Sequence, residues 1–99
     1  MDLSIIILNY NSADYLKKCL ESIQKSDIGD YQYEVIVVDN NSTDNSIELS
    51  KSTKIPNTKY LILNTNKGFA HGNNQGLKVT NPKSKYVLFL NPDTLVEKD

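Results

Sequence analysis

Val35-Ile36-Val37-Val38-Asp39-Asn40-Asn41 is four apolar residues, three of them valine, closed abruptly by an aspartate and two asparagines. The same design stands earlier as Ile5-Ile6-Ile7-Leu8 closed by Asn9-Tyr10-Asn11, and later as Val87-Leu88-Phe89-Leu90 closed by Asn91-Pro92-Asp93. An unbroken apolar run of this length, rich in β-branched residues, suits a strand buried on both faces, which is the habit of parallel sheets covered by helices. Open α/β sheets bind ligands beyond the carboxyl ends of their strands. The polar clusters therefore stand where a ligand would sit.

Working outward, Leu3 to Asn9 reads as strand one, and Ser12 can cap a helix from Ala13 to about Gln24. Leu16, Cys19, Leu20 and Ile23 fall at i, i+3, i+4 and i+7 of that helix, one stripe to lie on a sheet. A loop from Ser26 to Gln32 leads to strand two, Tyr33 to Asp39. Ser42 or Thr43 can cap a short, exposed helix from Asp44 to about Ser52. Pro56-Asn57 breaks it, and Tyr60-Leu61-Ile62-Leu63 makes strand three. A third helix is expected from about Phe69 to Val79, followed by the turn Asn81-Pro82-Lys83 and strand four, Lys85 to Leu90. The order β-α-β-α-β-α-β predicts right-handed crossovers and a Rossmann-like, three-layer α/β/α arrangement with a mostly parallel sheet. Residues 1–99 form a single domain, expected to be incomplete because Asp93 to Asp99 begins an element that is not finished.

Composition narrows the function. The 11 cations are all lysine and face 12 acidic residues, a net charge of -1, so nothing draws the chain generally to phosphate backbones or anionic membrane. Without arginine the usual bidentate reader of guanine and phosphate is missing, and nucleic-acid binding is disfavoured. Cys19 is the only cysteine, so it has no internal disulfide partner; its place on the apolar stripe marks it as a core thiol. No apolar run approaches the ~20 residues of a membrane span, and no signal peptide opens the chain. The expectation is a cytoplasmic chain, membrane-associated only through sequence beyond residue 99.

Neither a P-loop nor a Gly-x-Gly-x-x-Gly motif is present; Asn9-Tyr10-Asn11-Ser12 stands after strand one instead. The Gly-rich, Arg-containing loop of sugar nucleotidylyltransferases is absent from the same place. Asp93, carried past a strand end by a proline, can ligate Mg²⁺ or Mn²⁺, which prefer hard oxygen donors, or can belong to an ordinary Asn-Pro-Asp turn. Asp39 can accept from a base N–H or a ribose hydroxyl, or open an Asx-turn. Tyr10 can stack on a base or be a plain loop aromatic. Glycines at 68, 72 and 76 recur every four residues and would bare one face of the third helix for close approach to a strand or ligand, with Asn73 and Asn74 available for hydrogen bonds. His71, the only histidine, has no partner supplied by the sequence.

Taken in order, Ser4 to Asn11, Glu34 to Asp44, Asn66 to Gly76 and Leu90 to Thr94 resemble the N-terminal half of family 2 glycosyltransferases of the GT-A fold, especially the rhamnosyltransferase-like branch. The resemblance implies a nucleotide-sugar site with Tyr10 and Asn11 near the base, Asp39 on the base or ribose, and Asn40, Asn73 and Asn91 near the donor. Asn91-Pro92-Asp93 takes the place of the family's Asp-x-Asp motif, leaving Asp93 as the main ligand of Mg²⁺ or Mn²⁺. It also implies a dTDP- or UDP-sugar donor, with dTDP-rhamnose favoured by the branch, and a glycan or lipid-linked acceptor. The family's general base lies beyond that motif, so no catalytic base is expected within residues 1–99. The chain alone is expected to bind a nucleotide sugar weakly or not at all, to complete no transfer, and to offer an unfinished sheet edge for pairing with a second copy. The other reading is a non-catalytic fragment that binds a nucleotide or self-associates.

Overall fold

The computed structural model describes residues 2–26, 32–52 and 57–92. Four parallel strands, β1 (Leu3–Asn9), β2 (Tyr33–Asp39), β3 (Thr58–Ile62) and β4 (Tyr86–Leu90), lie in the order β3-β2-β1-β4. Three helices connect them: α1 (Ala13–Lys25), α2 (Ser46–Lys51) and α3 (Phe69–Lys78).

Ile5 and Ile7 of β1 and Val35 and Val37 of β2 point to one face, where they pack with Leu16, Cys19, Leu20 and Ile23 of α1. The alternate residues, Ile6, Leu8, Ile36 and Val38, make the opposite face. There α3 lies close: a Cβ on Gly76 would fall 2.8 Å from Val38 Cγ2 and 2.9 Å from Ile6 Cγ2, and one on Gly72 would strike the Leu8 side chain. Two of the three periodic glycines thus bring a helix against a strand. Gly68 instead ends the preceding loop at φ 96°, a backbone region that favours glycine. The result is the three-layer α/β/α arrangement, with both central strands almost wholly buried.

Local chemistry departs from expectation at the helix starts. Ser12 occupies the N-cap position of α1, but its hydroxyl donates to the Tyr10 carbonyl. Neither Ser42 nor Thr43 caps α2, which begins at Ser46; Asp44 Oδ1 receives the Ser46 N–H and hydroxyl. β3 starts two residues earlier than its apolar run because pairing with β2 sets its register, Val35 opposite Thr58 and Asp39 opposite Ile62. Leu63 still donates its N–H to the Asp39 carbonyl just past the strand.

At the amino ends of the strands a buried carboxylate ties the layers together. Glu34 Oε2 accepts from Ser4 Oγ and from the Asn81 N–H, each at 2.6 Å, and Oε1 pairs with Lys59 Nζ at 3.2 Å. Ser4 gives its proton to Glu34, so Ser84 donates to Ser4 at 2.7 Å. Burial raises the Glu34 pKa, but the bonds from Asn81 and Ser4 and the Lys59 ammonium outweigh it and hold the carboxyl below its ordinary value.

Candidate donor-nucleotide site

All four strands run parallel, so the polar clusters of β1, β2 and β4 converge on one edge of the sheet. A cavity of about 410 Å³ opens there, lined by Leu8, Tyr10, Ser12, Asn40, Asn66, Gly68, Phe69, Asn91 and Pro92. Leu8 supplies an apolar wall, while Tyr10 and Phe69 stand 49% and 60% exposed, two aromatic faces able to cover a planar ring. A second hollow of about 310 Å³ lies on the α2 side of β2, lined by Asp39, Ser42, Asp44 and Glu48 among others.

Of the residues expected at the site, Tyr10, Asn40 and Asn91 meet in the larger cavity, and Asp39 lines the smaller one. The two differ in side because successive strand residues alternate: Asp39 continues the Val35–Val37 face, and Asn40 turns to the α3 face. Asn73 is half-buried on α3, in the described lining of neither cavity. Asp93 lies outside the described residues. Among the described residues no group of three or more His, Cys, Asp or Glu side chains is placed to hold a metal ion. The described donors do not by themselves fit a divalent cation.

Several of these side chains are committed within the protein. Asp39, 3% exposed, accepts from Asn9 Nδ2 at 2.9 Å and Ser42 Oγ at 2.6 Å through Oδ1, and from the Ser42 N–H at 3.0 Å through Oδ2. This is the Asx-turn alternative, realised together with a tertiary bond to β1. Asn11, at φ 48°, turns its carboxamide oxygen to the N–H groups of Thr43 (2.8 Å) and Asp44 (3.3 Å). Its oxygen thus serves the neighbouring loop. Asn40, also 3% exposed, donates from Nδ2 to Asn66 Oδ1 at 2.8 Å and to the Gly68 carbonyl at 3.4 Å. Those two acceptors set its amide orientation and leave its Oδ1 enclosed without a partner among the described residues.

Sequence reasoning did not assign Asn66 or Ser42 to the site. Asn66 Oδ1 also receives the Gly68 N–H at 2.9 Å, so both bonds of its side chain among the described residues use the oxygen, on a residue that lines the cavity. An asparagine two residues before a positive-φ glycine is a local signal for such a turn. Nothing local announces the role of Ser42, whose partners Asn9 and Asn11 are more than 30 residues away.

A family model described as glycosyl transferase family 2 matches residues 4–99. The chain belongs to glycosyl transferase family 2. It is 32% identical over its whole length to the poly(ribitol-phosphate) beta-N-acetylglucosaminyltransferase TarS of Staphylococcus aureus, of which it covers 17%. It is 34% identical, over 98% of the chain, to the minor teichoic acid biosynthesis protein GgaB of Bacillus subtilis, covering 11% of that protein. The crystal structure of S. aureus TarS 1-349 in complex with UDP-GlcNAc superposes with a TM-score of 0.89 at 33% identity, over 99% of this chain and 28% of that one. The sheet and its helices are therefore those of the GT-A fold. The chain spans less than a fifth of the length of these curated relatives.

Proposed function

We propose that this chain is the donor-binding part of an inverting, nucleotide-sugar-dependent glycosyltransferase that acts on a glycan or lipid-linked acceptor in the cytoplasm or at the membrane's cytoplasmic face. The observation that carries the proposal is the cavity at the carboxyl ends of β1, β2 and β4, where Tyr10, Phe69, Asn40, Asn66 and Asn91 meet. Among solved relatives, TarS was captured with UDP-GlcNAc and with UDP, which favours a UDP-sugar over dTDP-rhamnose as donor. The teichoic acid relatives point to a cell-wall polymer as acceptor.

In such a reaction an acceptor hydroxyl oxygen attacks the anomeric carbon from the face opposite the leaving group. The carbon–oxygen bond to the diphosphate breaks, and its electron pair leaves with the nucleoside diphosphate. Tyr10 and Phe69 would cover the base, the Asn66 and Asn91 amides would orient the donor, and Asp39, which opens to the neighbouring hollow, would accept a hydrogen bond from whichever edge of the base or ribose reaches that side. A Mg²⁺ or Mn²⁺ ion, assigned to Asp93 with Asn91 beside it, would supply charge neutralisation of the departing diphosphate. The base that takes the acceptor proton is assigned to sequence outside these 99 residues.

Calorimetric titration of the chain with UDP and dTDP, with and without Mn²⁺, tests the assignment. Binding that strengthens with Mn²⁺ and loses that dependence in Asp93→Ala supports it; nucleotide binding that is indifferent both to Mn²⁺ and to Asp93→Ala overturns it. No sugar transfer is expected from the chain alone.

One observation favours self-association as well. β4 exposes Tyr86, Val87, Leu88 and Phe89, whereas β1 and β2 bury their apolar residues, and among the described strands β4 stands at an edge. Edge strands of this kind pair readily, and a second copy is proposed as partner of β4.

A further inference from the structure

Among the described strands β4 is paired on one side only, with β1. Tyr86 gives its N–H to the Asp2 carbonyl, so by alternation the backbone groups of Tyr86, Leu88 and Leu90 turn to β1 and those of Val87 and Phe89 turn outward. Such a strand is its own complement. In an antiparallel pair of two copies, Val87 of each exchanges both backbone bonds with Phe89 of the other, and Leu88 meets Leu88 on the two-fold axis. That register pairs all 5 residues of β4, whereas a slip of two residues either way takes two of them out of the pairing. Continued one residue past each end, it sets Lys85 of one copy opposite Asn91 of the other. Phe89 lies beside Ile6 of the α3-side core, so residues 85, 87, 89 and 91 fall on the face where α3 and the larger cavity lie. Asn91 lines that cavity, and no side chain of its described lining is charged. We propose that a second copy completes the donor site: the β4 strands pair antiparallel about Leu88, and Lys85 of each copy supplies the positive charge that meets the diphosphate in the other's cavity.

The inference rests on the donor-site and β4-pairing readings above and adds what the pairing does. A diphosphate is bound most strongly by charged donors, and in a chain without arginine the protein's own charged donors are its lysines. Lys85 is exposed at the start of β4, where its flexible stem and three donors suit a mobile anionic group. The pairing opposes no like charges, since Lys85 meets Asn91 and β4 itself carries none. Within one copy the rival source is Lys67, exposed between the lining residues Asn66 and Gly68.

Leu88→Cys, Val87→Cys and Phe89→Cys are each oxidised in a glutathione buffer, with the native Cys19 fully buried and out of reach. Residues opposed on the two-fold axis sit about 4.5 Å apart at Cα, inside the ~4.4–6.8 Å of a disulfide. Leu88→Cys is expected to crosslink about tenfold faster or more than the other two, which meet their own counterparts only diagonally at about 7–8 Å. UDP and uridine are then titrated, without divalent ions, into the crosslinked dimer and into the same variant reduced and diluted to monomer, with and without Lys85→Ala or Lys67→Ala. Crosslinking is expected to tighten UDP about tenfold, the value of one hydrogen bond to a charged group, and to leave uridine unchanged. Lys85→Ala removes that gain, and Lys67→Ala keeps it. No gain, a gain shared by uridine, or a gain that survives Lys85→Ala overturns the inference while the pairing stands. Fastest crosslinking at position 87 or 89 overturns the register and the inference with it. A wild type that stays monomeric at hundreds of micromolar overturns the pairing too, and the edge then belongs to another stretch of polypeptide. A crosslinked dimer that binds no UDP also overturns the inference, whereas the donor-site reading falls by its Mn²⁺ and Asp93→Ala arms.

Discussion

Gly76→Ala sets two effects against each other. In an exposed helix interior, alanine is worth about 1 kcal/mol over glycine. At this position the new methyl would sit 2.8 Å from Val38 Cγ2 and 2.9 Å from Ile6 Cγ2, well inside the ~3.5–4.0 Å at which carbon atoms attract. Both neighbours are fully buried and β-branched, on the two central strands, so neither side chain can swing aside. The helix must lift instead, and overpacking of this kind costs roughly 1–3 kcal/mol. With two rigid methyl contacts the upper part of that range applies, leaving a net loss of about 1–2 kcal/mol after the propensity gain. For a domain of this size that moves a urea midpoint down by about 1 M. Urea unfolding followed by circular dichroism reads it directly. A midpoint equal to or above wild type would refute the packing argument, since helix propensity alone gives that sign. Gly72→Ala, whose methyl meets only the end of the Leu8 side chain, is the internal control and is expected to lose less. Lifting α3 also carries Phe69 and Gly68 away from the cavity, so Gly76→Ala should weaken UDP more than its stability loss explains.

Glu34 makes stability fall in acid. Its folded-state pKa lies below the ordinary value of 4.5, so its stabilisation is complete above that pH and is lost as pH drops through the lowered pKa. Glu34→Gln should cost about 2 kcal/mol at pH 7 and converge on wild type only once the pH has fallen below the lowered pKa, read from urea midpoints across pH. Asn11→Gly tolerates the positive φ and removes the carboxamide whose oxygen serves Thr43 and Asp44; a loss of about 1 kcal/mol is expected, with Asn11→Ala losing about 1 kcal/mol more for its φ of 48°. Equal losses from the two Asn11 variants would show that the φ is unimportant. Sedimentation velocity should find a concentration-dependent dimer in the wild type and a monomer in Leu88→Lys; a monomeric wild type at hundreds of micromolar would remove the proposed β4 pairing.

The elements were legible because their signals are local. β1 and β2 end where their apolar runs meet Asn9 and Asp39, and α1 follows the spacing of Leu16, Cys19, Leu20 and Ile23. α3 starts at Phe69 as its glycine spacing and preceding loop imply. β3 was displaced because Thr58 and Lys59 carry no apolar signal and join the strand only through pairing with Val35 and Ile36. Helix starts differ from expectation for a related reason: Ser12 and Ser42 are good capping residues, but Ser12 turns its hydroxyl to the Tyr10 carbonyl and Ser42 is engaged by Asp39, Asn9 and Asn11, the last two brought in by the fold.

By itself, then, the chain's sequence determined the α/β class, the edge at which polar residues gather and the membership of its family, since each is carried by short-range pattern or by ordered motifs. Only the tertiary structure decided the division of labour among chemically identical asparagines. Asn9 and Asn11 lock the loops, Asn40 orients Asn66, and Asn66 and Asn91 are left to line the cavity. A carboxamide has the same donors and acceptors wherever it stands. Which of them remain for a ligand depends on partners some 26 to 33 residues away that meet only when parallel strands bring their ends together.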